Sequence, residues 1–214
     1  MTLAREKGRL ILVRHGAVAS DWKKICYGKL DVPLCDQWMI DSKTLVENLS
    51  SIRATKVFHS GLVRSSWLAE KVATKTRDNA GFCSVVEDRR LRERDFGDWE
   101  GKSWDDVFAS DPERFHDLIH QPDTYRPPGG ETTSEMQGRM VHWYGDCIFP
   151  DQTIVAITHS GPIAALAGYL LKLLPDQWSP WMLGYGESLT IPSSPISGSG
   201  QLRKGFLNDN RGRD

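Results

Sequence analysis

Two short apolar runs, RLILV at Arg9–Val13 and TIVAIT at Thr153–Thr158, each stop abruptly at a charged or titratable residue followed by glycine. The first leads into Arg14-His15-Gly16 and the second into His159-Ser160-Gly161. Runs this short, β-branched and almost unbroken by polar residues read as central strands buried on both faces. A sheet buries both faces only when helices cover each of them, and the intervening chain supplies the cover. Helical spacing of Met39, Leu45, Val46 and Leu49 predicts a helix over Gln37–Leu49, and Leu62, Leu68, Val72 and Ala73 predict another over Gly61–Ala73 with Arg64 in its first turn. Lys56–His59 and, more weakly, Ser84–Glu87 read as further strands. Short helices over Trp104–Phe108 and Pro112–Ile119, a helix from Thr133 to about Cys147, an apolar helix over 162–174 and two strands within Glu187–Leu207 complete the reading. Strands alternating with helices predict an α/β fold, a three-layer α/β/α sandwich around a mostly parallel sheet.

A chain of 214 residues is long enough to bury one substantial core. A single domain is expected over residues 1–208, with the polar stretch 209–214 as a flexible tail. The 27 basic and 28 acidic side chains leave a formal charge of −1, so nothing in bulk electrostatics favours nucleic acid or an anionic membrane as partner. Any affinity for phosphate must be local. Cys26, Cys35, Cys83 and Cys147 have no zinc-like spacing, and neither a metal nor another cofactor is expected. No segment reaches membrane-spanning length and the apolar run before Arg14 is too short for a signal-peptide core, so a cytoplasmic protein is expected. A homodimer is compatible with the sequence.

Open α/β sheets bind ligands beyond the carboxyl ends of their strands. Three strand ends deliver Arg14 with His15, Arg64, and His159 to that edge, and Glu93 follows a fourth. One histidine after a strand is more often a hydrogen-bonded structural residue than a catalyst; the joint placement is what carries weight. The segments LILVRHG, SGLVRSSWLAEKVA, LRERDFGDWEG, RPPGGE and TIVAITHSGPI, in this order and spacing, resemble the histidine phosphatase superfamily, which includes the phosphoglycerate mutases. The resemblance runs from about Arg9 to Leu174. It implies a metal-independent phosphatase acting on small-molecule phosphate esters, with His15 as the nucleophile that becomes phosphohistidine. Arg14 and Arg64 would hold phosphate oxygens, since a planar permanent cation can bond two at once. His159 would donate to a phosphate oxygen, best as a charged imidazole. Glu93 would protonate the leaving alkoxide and then activate water, with Asp95, Asp98 and Glu100 as nearby competitors. Gly16, Asp21, Tyr27, Gly28 and Ser160 are expected to complete the substrate-binding shell, Gly16 by letting the chain turn away tightly.

The chain departs from the family pattern in places. Val18 and Asp21 stand where the family commonly has Thr and a phosphate-donating Asn, and an ionised Asp21 cannot donate. Either Asp21 points away, or Ser20 or Trp22 substitutes. SGLVRSS replaces the usual S-P-L-x-R-A. The stretch between Gly101 and Arg126 is short, with only Lys102 and Arg114 as basic residues, which favours a phosphatase over a mutase. Cys26-Tyr27-Gly28, Asp31-Val-Pro-Leu34, GDWEG-x-x-W and RPPGGE are similar to the alpha-ribazole phosphatases of cobalamin biosynthesis. Trp99, Trp104, Phe115 and Tyr125 either roof an aromatic leaving group or belong to the core, the latter being favoured for most. The alternatives are a phosphoglycerate mutase, a broad-specificity sugar-phosphate phosphatase, or a phospho-ligand binding module. A module that only binds needs neither His15 nor Glu93.

Overall fold

The computed structural model describes residues 8–110, 112–147, 152–192 and 202–206. Six strands form one sheet: β1 (Arg9–Arg14), β2 (Lys56–His59), β3 (Ser84–Glu87), β4 (Thr153–Thr158), β5 (Glu187–Pro192) and β6 (Arg203–Phe206). Their order is β3-β2-β4-β1-β5-β6; the first four run parallel, and β5 pairs antiparallel with both β1 and β6. The helices among the described residues are α1 (Asp36–Asp41), α2 (Lys43–Ser51), α3 (Val63–Ala80), α4 (Trp104–Ser110), α5 (Pro112–His120), α6 (Thr133–Cys147) and α7 (Ser160–Leu171).

The two-residue period of β1 divides the core into two layers. Leu10 and Leu12 pack with Met140 and Trp143 of α6 and Ile163 and Leu166 of α7. Ile11 and Val13 point the other way, to Leu45 and Leu49 of α2 and Leu68 and Val72 of α3. Helices on both faces make the three-layer sandwich. Because β4 lies between β1 and β2, the residues that follow these three strands become neighbours. Arg14 pairs with Thr158 in register, and the His15 amide donates to the Thr158 carbonyl at 2.9 Å.

Several boundaries differ from expectation. The predicted helix over Gln37–Leu49 is two helices, broken at Ser42, whose hydroxyl donates to the Met39 carbonyl at 2.9 Å and competes with the helical ladder. α3 runs on to Ala80 and stops at Gly81, whose φ of 87° suits a residue without a Cβ. α7 starts earlier than expected, at Ser160, because extended His159 is already its N-cap, and it ends at Leu171 before left-handed Lys172. The expected turn between the last two strands falls mostly at 193–201, and the expected tail at 209–214; both lie outside the described residues. α4 and α5 pack into a separate cluster of Cys26, Trp99, Val107, Leu118 and Tyr125 that contains no strand residue. No helix among the described residues is long and apolar enough to cross a membrane.

Candidate active site

β1 ends at Arg14 and leads directly into His15, β4 leads directly into His159, and the turn after β2 opens α3 with Arg64 as its second residue. His15 is 1% exposed, and Arg64 and His159 are fully buried. His15 Nδ1 lies 2.7 Å from the Gly16 carbonyl. A carbonyl only accepts, so the proton sits on Nδ1 and the neutral ring presents the lone pair of Nε2. Burial, reinforced by Arg64 and Arg14, holds the His15 pKa well below the ordinary imidazole value. At Gly16 a Cβ would collide with the Trp38 ring, so glycine permits that ring's close approach.

Arg14 Nη1 donates to the Leu183 carbonyl at 2.6 Å, and its guanidinium lies 4.1 Å from the centre of the Tyr185 ring. Arg64 donates to the carbonyls of Leu30 and Gly28, each at 2.5 Å. Gly28 has a φ of 33°, and a Cβ there would meet Glu100 Oε1 at 2.3 Å. These bonds aim both guanidinium groups while leaving Arg14 Nε and Arg64 Nε buried without a partner; His159 Nδ1 is in the same condition. A buried polar group left unmatched costs about 1–3 kcal/mol. An oxyanion beside His15 would satisfy the two arginine nitrogens at once, and the amino-terminal ends of α3 and α7 add positive potential there.

The hydrogen-bond chain behind His159 fixes its tautomer. Ser65 Oγ donates to the Leu62 carbonyl at 2.8 Å, which uses the only proton Ser65 has. Ser60 Oγ, 2.7 Å from Ser65 Oγ, must then donate to it. His159 Nε2, 2.9 Å from Ser60 Oγ, is left to donate in its turn. Neutral His159 therefore bears its lone pair on Nδ1, and donating to phosphate from that atom requires a second proton. Burial, then Arg64 and His15, push its pKa well down. The charged imidazole expected from the sequence is thus disfavoured until an anion arrives to offset the positive charge of Arg64.

Glu93 Oε1 accepts from the Arg94 amide at 3.0 Å and lies where a Cβ on Gly161 would come within 2.5 Å. Its backbone is held from α6: Arg139 donates to the carbonyls of Arg90 (2.6 Å), Arg92 (2.7 Å) and Glu93 (3.1 Å). Glu131 grips the same guanidinium through two bonds of 3.0 and 2.6 Å and accepts from the Asp95 amide at 3.0 Å. The three competing acids are engaged or turned away. Asp95 pairs with Lys29 at 2.6 Å, Glu100 accepts from the amides of Lys29 and Phe96, and Asp98 is exposed. Of the four, Glu93 alone lines the cavity into which Arg14 and Ser160 also face. That cavity, of about 640 Å³, also takes in Arg14, Tyr27, Gly28 and Ser160 at its base and Phe96, Trp104, Phe115 and Met136 farther out.

Residues 10–192 match the model of the histidine phosphatase superfamily, branch 1. The chain belongs to the histidine phosphatase superfamily. Relatives in that superfamily are named phosphatases, and the chain is an enzyme of that class. Glucosyl-3-phosphoglycerate phosphatase of Mycobacterium tuberculosis is 30% identical, over 84% of this chain and 82% of that protein. Phosphoserine phosphatase 1 of Hydrogenobacter thermophilus is 28% identical, over 80% of each. The crystal structure of the alpha-ribazole phosphatase from Shigella flexneri superposes with a TM-score of 0.72, covering 94% of this chain and 96% of that one, at 21% identity, a likeness of fold.

Within this histidine phosphatase, Arg14, His15, Arg64, Glu93 and His159 come together, and Gly16, Tyr27, Gly28 and Ser160 adjoin them. Ser160 donates to the Leu183 carbonyl at 3.1 Å, the same carbonyl that anchors Arg14. Asp21 is not brought in: it is exposed, accepts from Ser20 at 3.2 Å and lines no part of the cavity, as neither Ser20 nor Trp22 does. An ionised carboxylate is thereby kept out of an anion pocket. Gly61 explains the altered S-P-L segment, because its φ of 83° is closed to proline. The aromatic residues divide: Trp99 and Tyr125 are buried in the outer cluster, whereas Trp104 and Phe115 reach the cavity. Sequence reasoning missed Tyr185, Ser60, Arg94 and Arg139. Arg139 had a signal, an arginine on the helical face shared by buried Met136, Met140 and Trp143. Tyr185, between two glycines before β5, had none beyond its place in the chain.

Proposed function

We propose that this protein hydrolyses small-molecule phosphate monoesters by two displacements on His15. His15 Nε2 attacks phosphorus, the bond to the leaving oxygen breaks, and Glu93 gives that oxygen its proton. Glu93 then takes a proton from water, whose oxygen attacks the phosphohistidine, releasing phosphate and restoring His15. Arg14 and Arg64 neutralise the charge spread over the equatorial oxygens, and His159 donates once protonated. The observation that carries this reading is the fixed His15 tautomer beside two buried arginine nitrogens that have no partner.

Trapping tests it. Quenching turnover of a ³²P-labelled ester should leave label that survives base and is lost in acid, as phosphohistidine is, and His15→Ala should carry none. Label in His15→Ala, or on another residue of the native enzyme, overturns the mechanism.

A more specific reading, alpha-ribazole 5'-phosphate as substrate, draws support from the aromatic wall. Trp104 stands edge-on to Phe96 and Phe115, with centroids 5.2 and 6.2 Å away, a surface suited to a flat apolar group. The same wall argues against a sugar phosphate or phosphoglycerate alone as the preferred ligand. Comparing kcat/KM for alpha-ribazole phosphate, phosphoserine, glucosyl-3-phosphoglycerate and simple sugar phosphates decides among them; equal, slow turnover of all would remove the ribazole assignment.

A further inference from the structure

The link Leu183–Gly186, just ahead of β5, is bound at both ends to Arg14. Arg14 Nη1 donates to the Leu183 carbonyl at 2.6 Å, and the Gly186 amide donates to the Arg14 carbonyl at 3.1 Å. Glu187 closes the same turn: its carboxylate accepts from the Gly184 amide at 2.7 Å, and its amide donates to the Gly184 carbonyl at 3.1 Å. Gly186, with a φ of 74°, allows the reversal. A chain held this closely fixes Tyr185, whose ring centre lies 4.1 Å from the Arg14 guanidinium and 5.7 Å from the His15 ring. Tyr27 is its counterpart at the second arginine, with its ring centre 5.0 Å from the Arg64 guanidinium. Both tyrosines are half-buried and line the cavity, and His15 and Arg64 are buried behind that lining. Their hydroxyl oxygens are 3.4 Å apart, longer than the roughly 2.5–3.0 Å of a good O–H···O bond. Two hydroxyls bring two protons to one contact, so at least one proton has no partner among the described residues. Burial, then the neighbouring Tyr185 hydroxyl, push the Tyr27 pKa up, so Tyr27 remains a protonated donor at neutral pH.

We propose that Tyr185 is a catalytic residue whose hydroxyl donates to a non-bridging phosphoryl oxygen, and that Tyr27 is a positioning residue that donates to Tyr185 and aims it. This rests on the phosphatase reading and deepens it. The need for such a donor follows from the base of the site. Two arginine Nε groups stand without partners there, and His159 Nδ1 donates only after it gains a second proton. The phosphoryl group spreads its charge over three equatorial oxygens. Tyr185 supplies a donor that is ready without any added proton, and it packs on both the nucleophile and the cation beside it. A phosphoryl oxygen is a far better acceptor than a phenol, so arrival of the ester turns a long contact into a charge-assisted bond. Donation from Tyr27 polarises that bond further. The ring of Tyr185 acts separately, by placing its negative face on Arg14.

Tyr185→Phe keeps the ring on Arg14 and deletes only the hydroxyl, so it separates the two roles. It should lower kcat/KM by about 10- to 100-fold, the range that a hydrogen bond to a charged group supplies. The factor should be the same for p-nitrophenyl phosphate, benzyl phosphate and a small alkyl phosphate. Inhibition by orthovanadate, which copies five-coordinate phosphorus, should weaken by a similar factor. Tyr27→Phe should cost about two- to fivefold, and the double variant should lose no more than Tyr185→Phe alone, because Tyr27 acts only through the Tyr185 hydroxyl. A purely structural role for Tyr27 would add its loss in full. The inference is overturned if Tyr185→Phe leaves both turnover and vanadate inhibition unchanged, if its loss is confined to the benzyl ester, or if Tyr27→Phe is the more damaging change. Vanadate binding needs no turnover and so reads the contact independently. Vanadate affinity that depends on Tyr185 in an enzyme that forms no phosphohistidine would count against the phosphatase reading and leave the oxyanion contact standing.

Discussion

The base of the cavity and its outer wall are built on opposite principles. At the base Arg14 and Ser160 line the cavity, and His15, His159 and Arg64 are buried behind that lining at the ends of β1, β4 and the turn after β2, where sheet register sets each position. The aromatic part of the wall, Phe96, Trp104 and Phe115, packs against a cluster that shares no residue with the sheet core. Chemistry is thus tied to the most constrained part of the molecule, and the leaving group to a part that can change without disturbing it. Substitutions in the base should affect every ester alike; substitutions in the wall should sort esters by shape.

The largest effect is expected at the base. His15→Ala should lower kcat by roughly 10⁴-fold or more for all esters, because no second nucleophile is positioned to replace Nε2. Inorganic phosphate should still bind through Arg14 and Arg64, which isothermal titration would show. Unequal losses across esters would break the contrast between base and wall.

Glu93→Gln comes next, with a loss of about 10²-fold on alkyl esters and a much smaller one on p-nitrophenyl phosphate, whose leaving group departs without a proton. Arg139 touches no reacting atom and acts by holding the three carbonyls that set the Glu93 peptide. Arg139→Met should therefore show the same leaving-group dependence in weaker form, about tenfold on alkyl esters. A uniform loss across leaving groups would mean that Arg139 only supports the fold.

What the sequence disclosed follows the same division. The sheet was legible because RLILV and TIVAIT admit few environments, and with it came the strand ends that carry His15 and His159. The breaks and extents of helices were less so: Ser42 interrupts a good apolar period through a single hydroxyl bond, which periodicity does not register. Asp21 could be flagged as unsuited to phosphate, yet its direction depended on a short turn at Ser20–Trp22 whose geometry no apolar pattern encodes. Arg94 was hidden because an arginine in LRERDFG reads as one charge among several. Only tertiary packing sets it apart, by burying it while Arg92 stays half-buried and Asp98 exposed.

The wall gives smaller and more selective effects. Phe115 meets Trp104 and Phe108 edge-on, stacks on Trp99 and lines the cavity. Phe115→Ala should raise KM about tenfold for benzyl phosphates and leave small alkyl phosphates within about twofold, in line with what lost apolar contact supplies in discrimination. Equal shifts for both classes would show that the wall supports the base and does not merely select.

The smallest effect is on stability, and it too separates the two regions. His15 and His159 are buried with pKa values well below 6.5, so as pH falls through about 6.5 the unfolded chain takes up protons that the folded chain does not. Stability must then decline with falling pH, by about 1.4 kcal/mol per pH unit for each such histidine, until the folded-state pKa is reached. Urea unfolding between pH 5 and 7 should show this slope, and His159→Gln should remove one proton's share. Saturating inorganic phosphate should flatten it as well, since a bound anion lets His159 keep its second proton. Phe115→Ala, by contrast, should lower stability by the same amount at each pH and leave the slope intact. A slope unchanged by His159→Gln and by phosphate would mean that the proton relay through Ser60 and Ser65 does not govern His159.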